Sequence, residues 1–186
     1  MASEQYQQYK KLLLKLHDLT VQERDQTDEA DAVRDAMDAP GSKLTALEHQ
    51  RVSGLSADLY MLLNDEVKEP TDPSSTPNAF AKFWDARNWD AVLSILRKQN
   101  VVISDDELAH VRALCWEELG DYDVALLFAE YAAKLKPDNM DYRFTLVRNQ
   151  LNLGMHVNSK TLEDIVMHIA RKHDLPVAES SFLQPA

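Results

Sequence analysis

The sequence predicts an all-α protein, with an N-terminal helical hairpin or bundle followed by a short solenoid of paired helices. Three observations carry that expectation. Apolar residues recur at three- and four-residue spacing along most of the chain. The 7 prolines cluster at a few places and so punctuate rather than pervade. Helix-start signatures stand ahead of several of the apolar runs. The chain has 186 residues, 45% apolar and 27% charged, close to ordinary globular usage. That excludes a disordered chain, which would bury too little apolar surface to offset its ordering entropy. A chain of this length buries on the order of 70% of its unfolded surface.

The first helix is expected at 3–23, where Tyr6, Tyr9, Leu13 and Leu16 form a stripe that Leu12 and Leu19 widen. From Asp18 to Asp38 the chain is strongly acidic, relieved only by Arg24 and Arg34, and reads as a solvated face with a polar turn near Asp25 to Asp28. Ala30, Val33 and Met37 mark a second helix at 28–38, stopped by Pro40-Gly41. Thr45 and Glu48 have capping-box spacing, so a third helix should run over 45–66. Its stripe is Val52, Leu55, Leu59 and Leu62. Gly54 inside it costs about 1 kcal/mol against alanine. With Ser53 and Ala57 it forms a small-residue patch where another helix can approach closely.

Pro70, Pro73 and Pro77, among Thr and Ser residues, cannot sustain a helix. The expected division is a helical unit at 1–68, a linker at 69–77, a repeat-like unit at 78–176 and a polar tail at 177–186. Further helices are expected at 77–87, 89–99, 105–119, 121–135, 139–153 and 161–173. Ser104 and Glu107 supply a capping box for the third of these. The one strand-like run, Val101-Val102-Ile103, is too short and isolated to found a sheet. Leu126, Ala129, Ala133 and Leu135, with Tyr122, read as the apolar face of the helix at 121–135, and Tyr122, Ala125, Ala129 and Ala132 are expected to be buried at a helix-pair contact.

One segment is more specific than the rest. Gly120-Asp121-Tyr122, then Ala125, Ala129, Ala132 and Pro137, resembles the second half of a tetratricopeptide repeat. The preceding helix fits in part, through Ala113 and Trp116. Trp89, with Val92 and Leu96, stands 33 residues earlier in the same register, and Gly154 stands 34 residues after Gly120. The resemblance covers about 100 residues as one clear repeat and two degenerate ones. The first lacks the glycine and the closing proline. The last is interrupted at 155–159, as a terminal repeat without a following neighbour is free to be. A narrower likeness is to the small acidic three-repeat chaperones of bacterial secretion systems.

Charge and composition limit the partners. Lys plus Arg is 20 and Asp plus Glu is 31, a formal net charge of −11. No basic run exceeds Lys10-Lys11 or Arg171-Lys172, so nucleic acid is an unexpected partner. The single cysteine, Cys115, excludes an intramolecular disulfide and leans towards a reducing compartment. No apolar stretch approaches the roughly 18 residues of a membrane span, and the polar N-terminus lacks the core of a signal peptide. The expectation is a cytoplasmic protein, with its oligomeric state left open.

No catalytic constellation stands out. The histidines are His17, His49, His110, His156, His168 and His173. None form an i, i+4 pair, and His168 and His173 point about 140° apart on a straight helix. Cys115 is followed by Trp116, Glu117 and Glu118, an acidic setting that works against a reactive thiolate, so it reads as a packing residue. Asp105-Asp106 belong to a helix first turn, where the macrodipole favours anions. No metal and no cofactor are expected.

The tetratricopeptide resemblance implies a non-enzymatic binding role, an adaptor or regulatory subunit that holds a partner's peptide or amphipathic helix on its first helices. The residues in groove-facing places are Asn78, Ala81, Trp84 and Asp85; His110, Val111, Leu114, Glu117 and Glu118; and Phe144, Arg148, Leu151 and Asn152. The family's clamp on a terminal carboxylate is missing, since Pro77, Ala81 and Glu117 stand where it wants polar or cationic groups. An apolar centre with an acidic rim suits an amphipathic or basic peptide. Two alternatives stay open. In one, Trp84, Leu114 and Phe144 are core and the N-terminal helices fill the groove. In the other, the chain is an accessory subunit of an enzyme, or an enzyme with an acidic and histidine site.

Overall fold

The computed structural model describes residues 2–63, 77–98 and 103–173, and every regular element among them is an α-helix. Contacts divide the chain into two units, Met1–Val102 and Ile103–Ala186. The expected linker, apart from Pro77, and the polar tail lie outside the described residues, as do Val101 and Val102.

The first unit contains α1 (Glu4–Val21), α2 (Asp28–Gly41), α3 (Ala46–Leu63), α4 (Pro77–Asp85) and α5 (Trp89–Arg97). Ser3 caps α1 by accepting from the Tyr6 N–H at 3.1 Å. Glu23, with φ 58°, turns the chain in the left-handed region between α1 and α2. Leu19, Ala30 and Val33 are buried there against Leu12, Leu16 and Met37. The acidic residues Asp28, Asp31, Asp35 and Asp38 face solvent, as their run implies.

The expected stop at Pro40-Gly41 is corrected: α2 runs on to Gly41 with Pro40 buried inside its last turn. A proline there removes only the N–H aimed at the preceding turn, while Ser42 N–H still reaches Asp38 O at 3.0 Å.

The Thr45–Glu48 capping box forms. Glu48 N–H donates to Thr45 Oγ1 at 3.3 Å, and Thr45 N–H donates to Glu48 Oε2 at 3.0 Å. The other carboxylate oxygen accepts from Ser3 N–H at 2.9 Å, tying the start of α1 to the start of α3. These donors, Thr45 first, hold the Glu48 carboxyl at a pKa of about 2.

Helices α3 and α5 carry charges in swapped order at one offset. Arg51 of α3 donates to both oxygens of Asp90, at 3.0 and 2.7 Å. Arg97 of α5 donates to both oxygens of Asp58, at 3.0 and 2.8 Å. Both pairs lie 39 residues apart in sequence, so the two helices run parallel. Gly54 is buried beneath the Arg97 guanidinium, where a Cβ would collide with it. The small-residue patch is thus a site of close approach, by a side chain. Phe80 stacks on Trp84 at 5.7 Å, and Trp84 meets Trp89 edge-on at 5.2 Å.

The second unit contains α6 (Asp105–Glu118), α7 (Tyr122–Leu135), α8 (Met140–Asn152) and α9 (Ser159–Lys172). Helix α7 packs on both α6 and α8, α6 also touches α8, and α9 packs on α8. Ser104 makes no cap hydrogen bond, which corrects the capping box expected at α6. Its hydroxyl is instead drawn to the Asp106 carboxylate.

The buried face of α7 matches the expectation in part. Of the residues expected at a helix-pair contact, Ala125, Ala129 and Ala132 are buried, together with Val124 and Phe128, whereas Tyr122 is half-buried and Leu135, expected on the apolar face, is 42% exposed. Nearly every position of α7 is apolar, so the pattern does not set the phase. The neighbours α6 and α8 do, and they select the small residues for close contact.

One turn recurs. Arg87 (φ 52°), Gly120 (φ 79°) and Gly154 (φ 70°) all adopt the left-handed conformation, 33 and 34 residues apart. Each donates its N–H to the carbonyl three residues back, of Trp84, Glu117 and Leu151, at 2.9 Å. Each following N–H reaches the carbonyl five back, of Phe83, Trp116 and Gln150. This is the Schellman ending of a helix, and it favours glycine. Arg87 adopts it without one, and so does Glu23 after α1, whose N–H reaches Thr20 O at 2.9 Å while the Arg24 N–H reaches Leu19 O, outside the 33- and 34-residue spacing.

Candidate functional site at the α6–α8 face

Helices α6 and α8 meet along a polar seam built from residues at helical spacing. Asp106, His110 and Glu117 share one face of α6, and Tyr142, Thr145 and Asn149 share one face of α8. At one end the Tyr142 hydroxyl donates to Asp106 Oδ2 at 2.7 Å, and Lys136 Nζ lies 2.8 Å from the same oxygen. Burial works to raise the Asp106 pKa, but hydrogen bonds from Lys136, Tyr142 and Ser104 outweigh it and hold the group at about 2. Burial and the Asp106 carboxylate push Tyr142 up to about 12.

In the middle His110 Nε2 pairs with Thr145 Oγ1 at 3.0 Å, and its ring lies 4.6 Å from that of Tyr142. Burial lowers the His110 pKa, opposed by Asp141 and reinforced by Arg148. At the far end Arg148 Nη2 donates to Glu117 Oε2 at 2.7 Å, and Asn149 Nδ2 donates to the same oxygen at 3.2 Å. Asn149 is fully buried and also donates to Thr145 O at 2.9 Å.

By helical phase Phe144 and Leu151 lie on the side of α8 turned away from Tyr142, Thr145 and Asn149, and Leu114 lies one turn on from His110 along α6. Leu114 and Phe144 are half-buried and Leu151 is 50% exposed. The Arg148 guanidinium lies 5.0 Å from the Phe144 ring centre. Glu118 is exposed. Of the expected groove residues, His110, Leu114, Glu117, Glu118, Phe144, Arg148 and Leu151 therefore belong to one unit. Trp84 belongs to the other, stacked with Phe80 and Trp89. Glu117 and Arg148 hold each other, so the acidic rim available on this face is carried by Glu118. Sequence reasoning missed the Tyr142–Asp106 bond and the role of Thr145 and Asn149. The only signal was their i, i+3, i+7 spacing on α8.

A concavity of about 320 Å³ lies between α8, α9 and the loop joining them. Leu146, Val147 and Val157 form its apolar part, and Arg143, Gln150 and His156 form its polar rim. Asp141, at the start of α8, holds Lys172 of α9 through both oxygens at 2.7 and 2.9 Å. That contact lowers the Asp141 pKa. Cys115 is buried. Among the described residues no group of three or more His, Cys, Asp or Glu is arranged to hold a metal. No helix among them is long and apolar enough to cross a membrane. No family model, curated protein or solved structure matches this chain.

Proposed function

We propose that this chain is a non-enzymatic interaction protein of tetratricopeptide-like build, which holds a peptide or amphipathic helix of a protein partner on the α6–α8 face. One observation carries the reading. The seam fixes α6 and α8 side by side through three polar rungs, and the same two helices carry the incompletely covered apolar side chains Leu114, Phe144 and Leu151, with Glu118 exposed one turn from Leu114. The Schellman turns at Arg87, Gly120 and Gly154 add support, because they repeat at the period of such helix pairs. An apolar strip with a negative edge suits an amphipathic segment bearing Lys or Arg. Aromatic anchors usually supply most of the binding energy, and exposed charges mainly steer approach.

The test compares Phe144→Ala and Glu118→Lys with the parent, measuring melting temperature and partner affinity on the same samples. Phe144→Ala should weaken binding by about 1–3 kcal/mol. Glu118→Lys should cause a smaller loss that fades as salt is raised. If Phe144→Ala lowers only the melting temperature, the ring is core and the reading fails.

A further inference from the structure

The concavity between α8 and α9 has a charge pattern at odds with the rest of the chain. The molecule carries a net charge of −11, yet among the described residues no carboxylate lines this site. Arg24, Arg34, Arg51, Arg97 and Arg148 each hold a carboxylate of the chain, while Arg87 and Arg171, like Arg143, hold none among the described residues. Arg143 holds none among the described residues, and its side-chain contact there is the Met140 sulfur at 3.6 Å. Asn158 and Thr161, which also line the site, are engaged with each other at 2.9 Å as the cap of α9. Arg143, Gln150 and His156 are left as the polar groups around an apolar floor of Leu146, Val147 and Val157.

We propose that this concavity is a binding site for a small carboxylate with an aliphatic body. A guanidinium matches a carboxylate with two parallel N–H donors, and a charge-assisted bond of this kind is about twice as strong as a neutral one. Gln150 supplies an amide donor and His156 a ring donor. Leu146, Val147 and Val157 take the apolar body out of water. A single cation suits a monoanion better than a phosphate dianion. The volume of about 320 Å³ is at the small end of ligand sites, which limits the ligand to a few carbons beyond the carboxylate. The site uses a different set of α8 residues from the proposed partner face, so either can fail without the other.

The experiment titrates 4-methylpentanoate and its neutral amide into the full chain, followed by amide chemical shifts. The acid should give saturable shifts confined to residues near 143–161, and the amide should bind at least about tenfold more weakly. Arg143→Gln should lose about tenfold or more of the acid's affinity with an unchanged melting temperature. Gln150→Glu, which adds a negative charge at the rim and leaves Arg143 in place, should cause a similar loss. Were Arg143→Gln to melt early, Gln150→Glu decides. Equal binding of acid and amide, the lack of saturable shifts, or parent-like affinity in Gln150→Glu overturns the proposal.

Discussion

Asp58 of α3 has no exposed surface, and Arg97 of α5 grips both of its oxygens while lying directly over Gly54. The glycine makes room for the arginine, and the arginine offsets the buried charge. Removing one partner of a buried pair typically costs about 3–5 kcal/mol. Arg97→Ala should therefore destabilise by about 3 kcal/mol. Arg51→Ala, which breaks the more exposed pair with Asp90, should cost about 1 kcal/mol. Urea midpoints on the two variants give the comparison.

Gly54→Ala offers a test of sign. Helix propensity alone says alanine stabilises by about 1 kcal/mol. Its methyl would collide with the Arg97 guanidinium, which Asp58 holds in place, so a net loss is expected in the parent. In an Arg97→Ala background the same change should become neutral or stabilising. Additivity of the two substitutions in a double-mutant cycle would show that Gly54 and Arg97 do not touch.

Arg87 occupies a conformation that costs an L-residue about 1–2 kcal/mol. Its side chain is exposed, so little packing is lost on truncation. Arg87→Gly should raise stability by about 0.5–1 kcal/mol. Gly120→Ala, at the matching turn, should lower it by about 1 kcal/mol. There the added Cβ meets nothing within 4 Å, so the cost is purely that of the backbone.

These two sites show what the sequence made legible. The nine described helices lie within a few residues of where periodicity places them, because 3.6-residue spacing is local, although the Ser104 cap does not form and α2 runs through Pro40. Gly120 and Gly154 were visible as turn residues, but Arg87 was not, because nothing about an arginine announces a left-handed backbone. The pairs Asp58–Arg97 and Asp106–Tyr142 were also hidden, since two parallel helices can pair at any offset until packing chooses one. The mostly apolar α7 likewise leaves its phase open, so its pattern does not single out Phe128 as core and places Leu135, which is 42% exposed, on the apolar face. In the candidate site, His110, Glu117 and Arg148 could be named from helix position, but their mutual pairing could not.

Acid should weaken the fold in two stages. Burial lowers the pKa of His110 and of His17, so the folded state resists protonating them. The stability they contribute is complete above about pH 6.5 and declines as pH falls below it. His110→Gln should flatten that part of the profile. Asp106 and Glu48, both held at about 2, contribute stability that is complete above about pH 4 and is lost as pH falls towards 2. Lys136→Met, which removes a donor to Asp106, should shrink that second limb. Urea denaturation from pH 8 to pH 2 reads both.

Ala125 is fully buried in α7. Ala125→Trp forces a large ring into this contact, and overpacking costs about 1–3 kcal/mol or more. A melting curve like the parent's would mean that α7 does not pack there.

The partner face is most directly tested by crosslinking from chosen positions. A photo-reactive amino acid is installed in place of Leu114 or Leu151 on the α6–α8 face, and in place of Tyr60, which is 66% exposed on α3. Cells of the native host are irradiated and the adducts identified by mass spectrometry. The proposal expects one shared protein partner from Leu114 and Leu151, mapped to a segment with basic and apolar residues, and no such adduct from Tyr60. Crosslinks to a partner from Tyr60 alone would contradict it.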